Sequence, residues 1–240
     1  MKERGWTVVV PAYDEEATIA GVVEEYRAHP DVERVLVVNN RSTDRTRDVA
    51  RAAGAEVIDE PRPGYGCAIR AGLDHALETG AVLLAVTEGD GTFRADDLPK
   101  FRAFLEQHDI VFGTRTHRVL LGADANLGWA LRWGNRALAT LLAALWWFPH
   151  EPALSDVGCT YRALWPEAWR AVRTELRADG PDFAPEMMCL AFDRRLRVVQ
   201  IPVQYGARRG GSSKHSEHLG ESALTALGML VTICRKRLLG

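Results

Sequence analysis

Ala81-Val-Leu-Leu-Ala-Val-Thr87 runs straight into Glu88-Gly89-Asp90-Gly91-Thr92. An apolar run this short reads as a buried strand. Two carboxylates, one residue apart, follow it at once, and the glycines at 89 and 91 let backbone approach a ligand closely. In an open α/β sheet, ligands collect beyond the carboxyl ends of the strands. Paired carboxylates at such a place suit a hard divalent cation that leaves positions open for phosphate oxygens. An acidic turn facing water is the alternative, and the neighbouring sequence decides between them.

On both sides of this stretch, strand and helix signals alternate. Residues 6–11, 35–39, 56–59, 81–87 and 109–113 read as strands. Between them, Ile19, Val22, Val23 and Tyr26 recur at helical spacing. Ser42-Thr43-Asp44 offers N-cap chemistry for a helix over 46–53. Ile69, Leu73, Ala76 and Leu77 line one side of a helix over 66–79, and Asp96 caps one that turns Leu98, Phe101 and Leu105 inward. Strands alternating with helices predict an α/β fold with a mostly parallel central sheet flanked by helices. Beyond residue 115 the pattern changes. Residues 127–148 read as a long helix ending in the very apolar Trp146-Trp147-Phe148, 154–165 as a strand, 185–194 as a helix and 198–203 as a strand. Arg208 to Lys214 is a basic glycine-serine loop. Leu224, Leu227, Val231, Cys234 and Leu238 form one stripe of a final amphipathic helix.

Composition narrows the function classes. The chain has 240 residues, 47% of them hydrophobic, which supports a sizeable core. Its formal net charge of −2 supplies no basic field for nucleic acid. Cys67, Cys159, Cys189 and Cys234 are scattered without a CxxC pair, which argues against a zinc site or disulfide framework. Met1-Lys-Glu-Arg-Gly5 leads directly into a strand without signal-peptide character. No apolar stretch reaches the roughly 20 residues of a spanning helix. The expectation is a cytoplasmic protein, peripheral on the cytoplasmic membrane face at most. Trp146, Trp147 and Phe148, with Arg235-Lys236-Arg237 at the end of the last helix, suit a membrane surface; a buried tryptophan pair and a helix dipole satisfied by cations account for the same residues.

Four further segments join the acidic pair. Pro11, Tyr13 and Glu15 close the first strand, and Asn39-Asn40-Arg41-Ser42 closes the second. Arg62-Pro-Gly64-Tyr65-Gly66 turns into a helix, and Arg208-Arg-Gly-Gly211-Ser-Ser213-Lys214 follows the last strand. Together these segments resemble the family 2 glycosyltransferases of the GT-A (Rossmann-like) fold, and more closely their dolichyl-phosphate mannosyltransferase-like, polyprenyl-phosphate sugar transferase branch. The likeness runs from the first strand to Lys214.

The resemblance implies roles residue by residue. Pro11, Tyr13 and Glu15 match a Pro-x-Tyr-x-Glu that cradles base and ribose, and Asn40 falls in an Asp-Asp-x-Ser signature that reads the base. Arg62, Gly66 and Gly89 join them as nucleotide-sugar-binding candidates, with Asp90 shared. Glu88 and Asp90 match an Asp-x-Asp that holds Mg²⁺ or Mn²⁺ on the donor diphosphate. Phe112-Gly113-Thr114-Arg115 is similar to Gly-Ser-Arg, and Asp156, Gly158, Tyr161 and Arg162 to an Asp-x-x-x-Gly-Phe-Arg region. Arg208, Gly211, Ser213 and Lys214 match a loop that closes over phosphates. The catalytic set is thus Asp90, Arg115, Asp156, Arg208 and Lys214. Two departures stand out: Asn39-Asn40 replaces Asp-Asp, and Glu88 replaces the first metal-binding Asp.

The implied domain plan is a GT-A domain over 1–215, with a nucleotide-sugar half at 1–115 and an acceptor half at 116–215, followed by an amphipathic helix over 216–240. The implied reaction is metal-dependent, inverting transfer of a hexose from a GDP- or UDP-sugar to a polyprenyl phosphate. A lipid phosphate is already anionic and needs positioning, for which Arg115, Arg132, Arg136 and Arg162 are candidates. A glycan or small-molecule hydroxyl would need a base, for which Asp156 is the candidate; hydrogen bonding within a turn is its other reading. A catalytically weak nucleotide-sugar-binding scaffold is the third reading, motivated by the two departures.

Overall fold

The computed structural model describes residues 5–117, 120–122, 129–150, 152–210 and 219–239. Gly211, Ser213 and Lys214 therefore lie outside the described residues. Seven strands form one sheet: β1 (Trp6–Ala12), β2 (Val32–Asn39), β3 (Glu56–Asp59), β4 (Leu83–Val86), β5 (Ile110–Thr114), β6 (Arg162–Leu164) and β7 (Val198–Pro202). Their order is β3-β2-β1-β4-β6-β5-β7. All pairs are parallel except those of β6, which runs antiparallel between β4 and β5.

Side chains alternate across this sheet with the strand period of two. Val9, Leu36, Val38, Leu84, Val86, Ile110, Phe112 and Leu164 enter one core. Val8, Val10, Val35, Val37, Leu83, Ala85, Val111 and Ala163 enter the other. The second core is closed by α1 (Ile19–Ala28), α2 (Thr46–Ala52) and α4 (Leu98–Leu105), with Ile19, Val22, Val23, Tyr26, Leu98, Phe101 and Leu105 all buried. The first is closed by α3 (Tyr65–Glu78), α5 (Trp129–Leu145), α7 (Pro166–Val172), α8 (Phe183–Asp193) and α9 (Leu219–Leu239). Doubly covered strands explain why the sequence runs are almost wholly apolar.

The structure departs from the sequence expectations in four places, three of them in the second half. The long helix stops at Leu145; a short α6 (Trp147–His150) follows, and residues 127–128 lie outside the described residues. Of 154–165, only β6 is strand. Gln200 Oε1 accepts from the backbone N–H of Ser155 (2.7 Å) and Asp156 (3.2 Å), so a side chain stands where a strand partner would. Helix α7 was not foreseen; Pro166 occupies its first turn, where the missing N–H costs nothing. Entry to α4 is a 3₁₀ turn over Ala95–Asp97, with no side-chain cap.

Candidate active site

The parallel strands end, and antiparallel β6 begins, on one rim of the sheet. The chain leaves β1 to build β2 and β3 on one side, then returns to build β4 on the other. Such a switch in strand order opens a crevice at the rim. The loops that line it are locked together. Asp14 and Arg41 hold left-handed φ angles of 52° and 64°, unusual away from glycine. Thr43 N–H donates to Asp14 Oδ1 at 2.7 Å and Asp14 N–H to Ser42 Oγ at 3.1 Å, which fixes the β1 turn against the β2 turn. Asp44 Oδ1 accepts from Thr46 N–H at 2.9 Å in the turn before α2, but the N-cap position itself is Arg45, which makes no side-chain cap, so the expected Ser/Thr/Asp cap is not made.

Asp90 is oriented by its own turn. Thr92 donates its backbone N–H (3.0 Å) and its hydroxyl (2.7 Å) to Asp90 Oδ1. Gly91 makes this turn at φ 75°, and a Cβ there would stand 2.7 Å from Arg209 Cδ. Asp90 Oδ2 then faces Arg208 Nε at 3.1 Å, while Arg208 Nη1 lies 3.8 Å from Glu15 Oε1. The Thr18 hydroxyl donates to the Gly89 carbonyl at 2.8 Å and sits 3.0 Å from Glu15 Oε2. Glu15, Gly89, Asp90 and Arg208 are thus one cluster at the β1–β4 crevice. Residues 205–210 lie across it as a strap: Gly206 N–H donates to Thr92 O (2.9 Å), Arg209 N–H donates to Asp90 O (3.1 Å), and the Arg209 side chain pairs with Glu25.

Glu88 is half-buried, with its carboxyl group enclosed by protein. Its Oε1 accepts from the Thr160 hydroxyl at 2.8 Å. Burial, and then the nearby charge of Asp90, push its carboxyl up to about 7. Crowded negative charge is what a cation would relieve, and Arg208 beside Asp90 shows that positive charge fits there. Among the described residues, no group of three or more His, Cys, Asp or Glu side chains could hold a metal. A divalent ion on Glu88 and Asp90 would take its remaining ligands from phosphate oxygens and water, which suits Mg²⁺ or Mn²⁺. The donor set therefore fits the implied ion.

Further along the rim, Asp156 and Arg115 form a buried bidentate pair. Arg115 Nε and Nη2 each donate at 2.9 Å, and the backbone N–H groups of Arg115 (3.1 Å) and Gly158 (3.0 Å) add to them. Burial alone would raise the Asp156 carboxyl, but Arg115 outweighs it and holds the group below the usual carboxylate range. A group held that low is a weak proton acceptor. Arg162 is also buried. It donates to Thr160 O (3.1 Å) and Cys159 O (2.9 Å) and stacks over Phe112 and Phe183, so its guanidinium is committed to the β6 turn and the core beside it.

The nucleotide-side candidates separate. Pro11 and Tyr13 stay on the rim, with Tyr13 exposed. Asn40 is spent on backbone: Nδ2 donates to Glu60 O (3.1 Å) and Arg62 O (2.6 Å), and Oδ1 accepts from Gly64 N–H (2.9 Å). An aspartate could not make the two donations, which accounts for the amide. Asn39 Nδ2 likewise donates to Asp59 Oδ1 at 2.8 Å, where an aspartate would set two carboxylates against each other. Arg62 makes a two-pronged pair with buried Glu60. Gly66 faces protein, not a ligand-sized opening: its N–H donates to Asp179 O at 2.7 Å, and a Cβ would lie 2.2 Å from Ala178 O. Thr160, Glu25 and Glu60 escaped the sequence reading; Thr160 sat inside a matched motif, while the other two carry no sequence signal.

A mostly parallel α/β sheet with a carboxylate pair and an arginine strap at its switch point defines a GT-A-type protein. Residues 7–163 match the family model described as glycosyl transferase family 2, and the chain belongs to that family of glycosyltransferases. An uncharacterized glycosyltransferase of Mycobacterium tuberculosis (strain ATCC 25618 / H37Rv) is 36% identical over 222 residues, covering 92% of this chain and 94% of the relative. A dolichyl-phosphate hexose transferase of Haloferax volcanii is 28% identical, covering 90% of this chain and 89% of the relative, in line with the branch the sequence resembles. Among solved structures, glucosyl-3-phosphoglycerate synthase from Mycobacterium tuberculosis, in complex with Mn²⁺, UDP-glucose and phosphoglyceric acid, superposes with a TM-score of 0.74. It is 23% identical and the match covers 98% of this chain and 80% of that one, a likeness of fold.

Proposed function

We propose that this glycosyltransferase moves a hexose from a nucleotide-diphosphate sugar to a polyprenyl phosphate, with Mg²⁺ or Mn²⁺ held by Asp90 and Glu88. The observation that carries the donor half is the Glu88–Asp90 pair under the Arg208 strap. When bound, the ion would act as a Lewis acid toward the departing diphosphate. Arg208, already aimed at the same place, adds fixed positive charge where negative charge develops. Thr92 holds Asp90 in one orientation, and Thr160 does the same for Glu88. Pro11, Tyr13 and Glu15 line the crevice where a nucleoside would lie, and Asn40, Arg62 and Glu60 brace its far wall.

The acceptor half rests on where the carboxylates are committed. Asp156 is saturated by Arg115. Glu186, on the same side of the sheet as α9, accepts from Arg177 and Ala178 N–H and pairs with Lys236 at 2.9 Å. Neither is poised to take a proton from a hydroxyl, whereas a phosphate acceptor needs none taken. The Haloferax volcanii relative named for dolichyl phosphate supports the same choice. A donor screen with membrane extract tests it: labelled hexose enters the lipid phase from one nucleotide sugar, and Asp90→Ala abolishes the transfer. Label appearing only in water-soluble product would assign a hydroxyl acceptor, and full activity of Asp90→Ala would remove the metal assignment.

A further inference from the structure

Two neighbouring helices turn apolar faces toward solvent. Helix α9 packs on α5 and α8 and buries Met229 and Ile233 in the core. The stripe read from its sequence lies on the other side: Leu224 is 70% exposed, Leu227 and Val231 55%, and Leu238 79%. Arg235 and Arg237 stand exposed beside them. Helix α5 is built alike. Leu138, Ala139 and Leu142 point inward, while Trp133, Ala137 and Ala144 point outward with Arg136, leading to exposed Trp147 and Phe148. The helix ends meet where the Arg237 guanidinium lies 5.5 Å over the ring of Trp146, which is itself buried. The sequence-based membrane signal thus divides: Trp146 is core, whereas Trp147 and Phe148 are surface. Among the side chains described on these helices, those of 132–148 and 223–238, neither outer face carries an Asp or Glu; the Glu221 side chain lies outside them.

Large apolar side chains gathered this way mark a contact surface. Charge selects the occupant. A second copy seated symmetrically on this surface would bring arginines against arginines. An anionic bilayer instead neutralises them, accepts tryptophan at its interface and takes up leucine and phenylalanine. No helix among the described residues is long and apolar enough to cross a membrane, so these faces would lie along a bilayer.

We infer that the joint outer face of α5 and α9 is a docking surface for an anionic lipid bilayer. The choice of a bilayer rests on the lipid-acceptor reading above, while the surface has its own test. The protein is sedimented with vesicles of phosphatidylcholine plus phosphatidylglycerol, and with phosphatidylcholine alone, neither containing polyprenyl phosphate. Wild type co-sediments with the anionic vesicles and is partly released by salt. The double variant Phe148→Ser with Leu227→Ser loses at least about tenfold in partitioning. Arg235→Gln with Arg237→Gln loses the preference for anionic lipid. Calorimetric binding of a nucleoside diphosphate with Mn²⁺ stays as in wild type for both variants. No sedimentation of wild type, binding indifferent to the apolar substitutions, or a dimer that those substitutions dissolve would each overturn the inference. Vesicle binding as expected, with no sugar passed to polyprenyl phosphate, would overturn the acceptor reading and leave the surface standing.

Discussion

Glu88 is the residue whose environment makes the sharpest demand. Its carboxyl, near 4.5 in an open chain, is held near 7 by burial and by Asp90. The fold therefore binds an extra proton between those values. The stability this proton contributes is full below about pH 4.5 and is lost as pH rises through about 7. Urea melts of the metal-free protein across that window should show stability falling with pH, and Glu88→Gln should flatten the slope. Asp156 makes the opposite demand. Asp156→Asn would leave the Arg115 guanidinium buried without its counter-charge, a change that costs about 3–5 kcal/mol in comparable pairs. Thermal unfolding should shift down accordingly, and an activity loss in that variant would report folding as much as chemistry. Both residues were visible in the sequence as members of motifs. Their pairings were not, because Thr160 and Arg115 lie 72 and 41 positions away along the chain. The amides at 39 and 40 show the same limit. They look like a defect in a nucleotide-reading signature until Asp59 and the Glu60 and Arg62 carbonyls are seen beside them.

Elements were legible wherever one periodicity dominated. The alternation Val8, Val9, Val10 distributes side chains to two cores, and Ile19, Val22, Val23 and Tyr26 bury one helix face, as the spacing predicted. The sequence left the inward face open where both faces of an element are apolar. The α9 stripe has a spacing that fits either a buried or an outward face, and it lies outside because Met229 and Ile233 supply the inward contacts. Helix α3 carries a demand that composition hides. Gly72 lets it approach the sheet: a Cβ there would stand 2.4 Å from Val9 Cγ1 and 2.7 Å from Val38 Cγ2. In a free helix Gly→Ala gains about 1 kcal/mol. Here the overpacking costs about 1–3 kcal/mol, so Gly72→Ala should destabilise. Chemical denaturation would read the sign, and Val9→Ala in the same chain should restore part of the loss.

At the scale of the whole molecule, β6 decides what can stand alone. It comes from the second half of the sequence, yet Ala163 stands in register between Ala85 of β4 and Val111 of β5. A fragment ending at residue 115 would carry the carboxylates of the donor crevice but lack the Arg208 strap and the strand that joins β4 to β5. That leaves two open strand edges, the arrangement that invites aggregation. The fragment 1–115 should precipitate or stay unfolded by circular dichroism; a soluble, nucleotide-binding fragment would show the donor half to be independent. The same weave delays folding, since β4 waits on a partner some eighty residues further along the chain. A ribosome that has finished the nucleotide side has therefore not finished a protein, and β4 stays without its second partner until residue 164 has emerged from the exit tunnel.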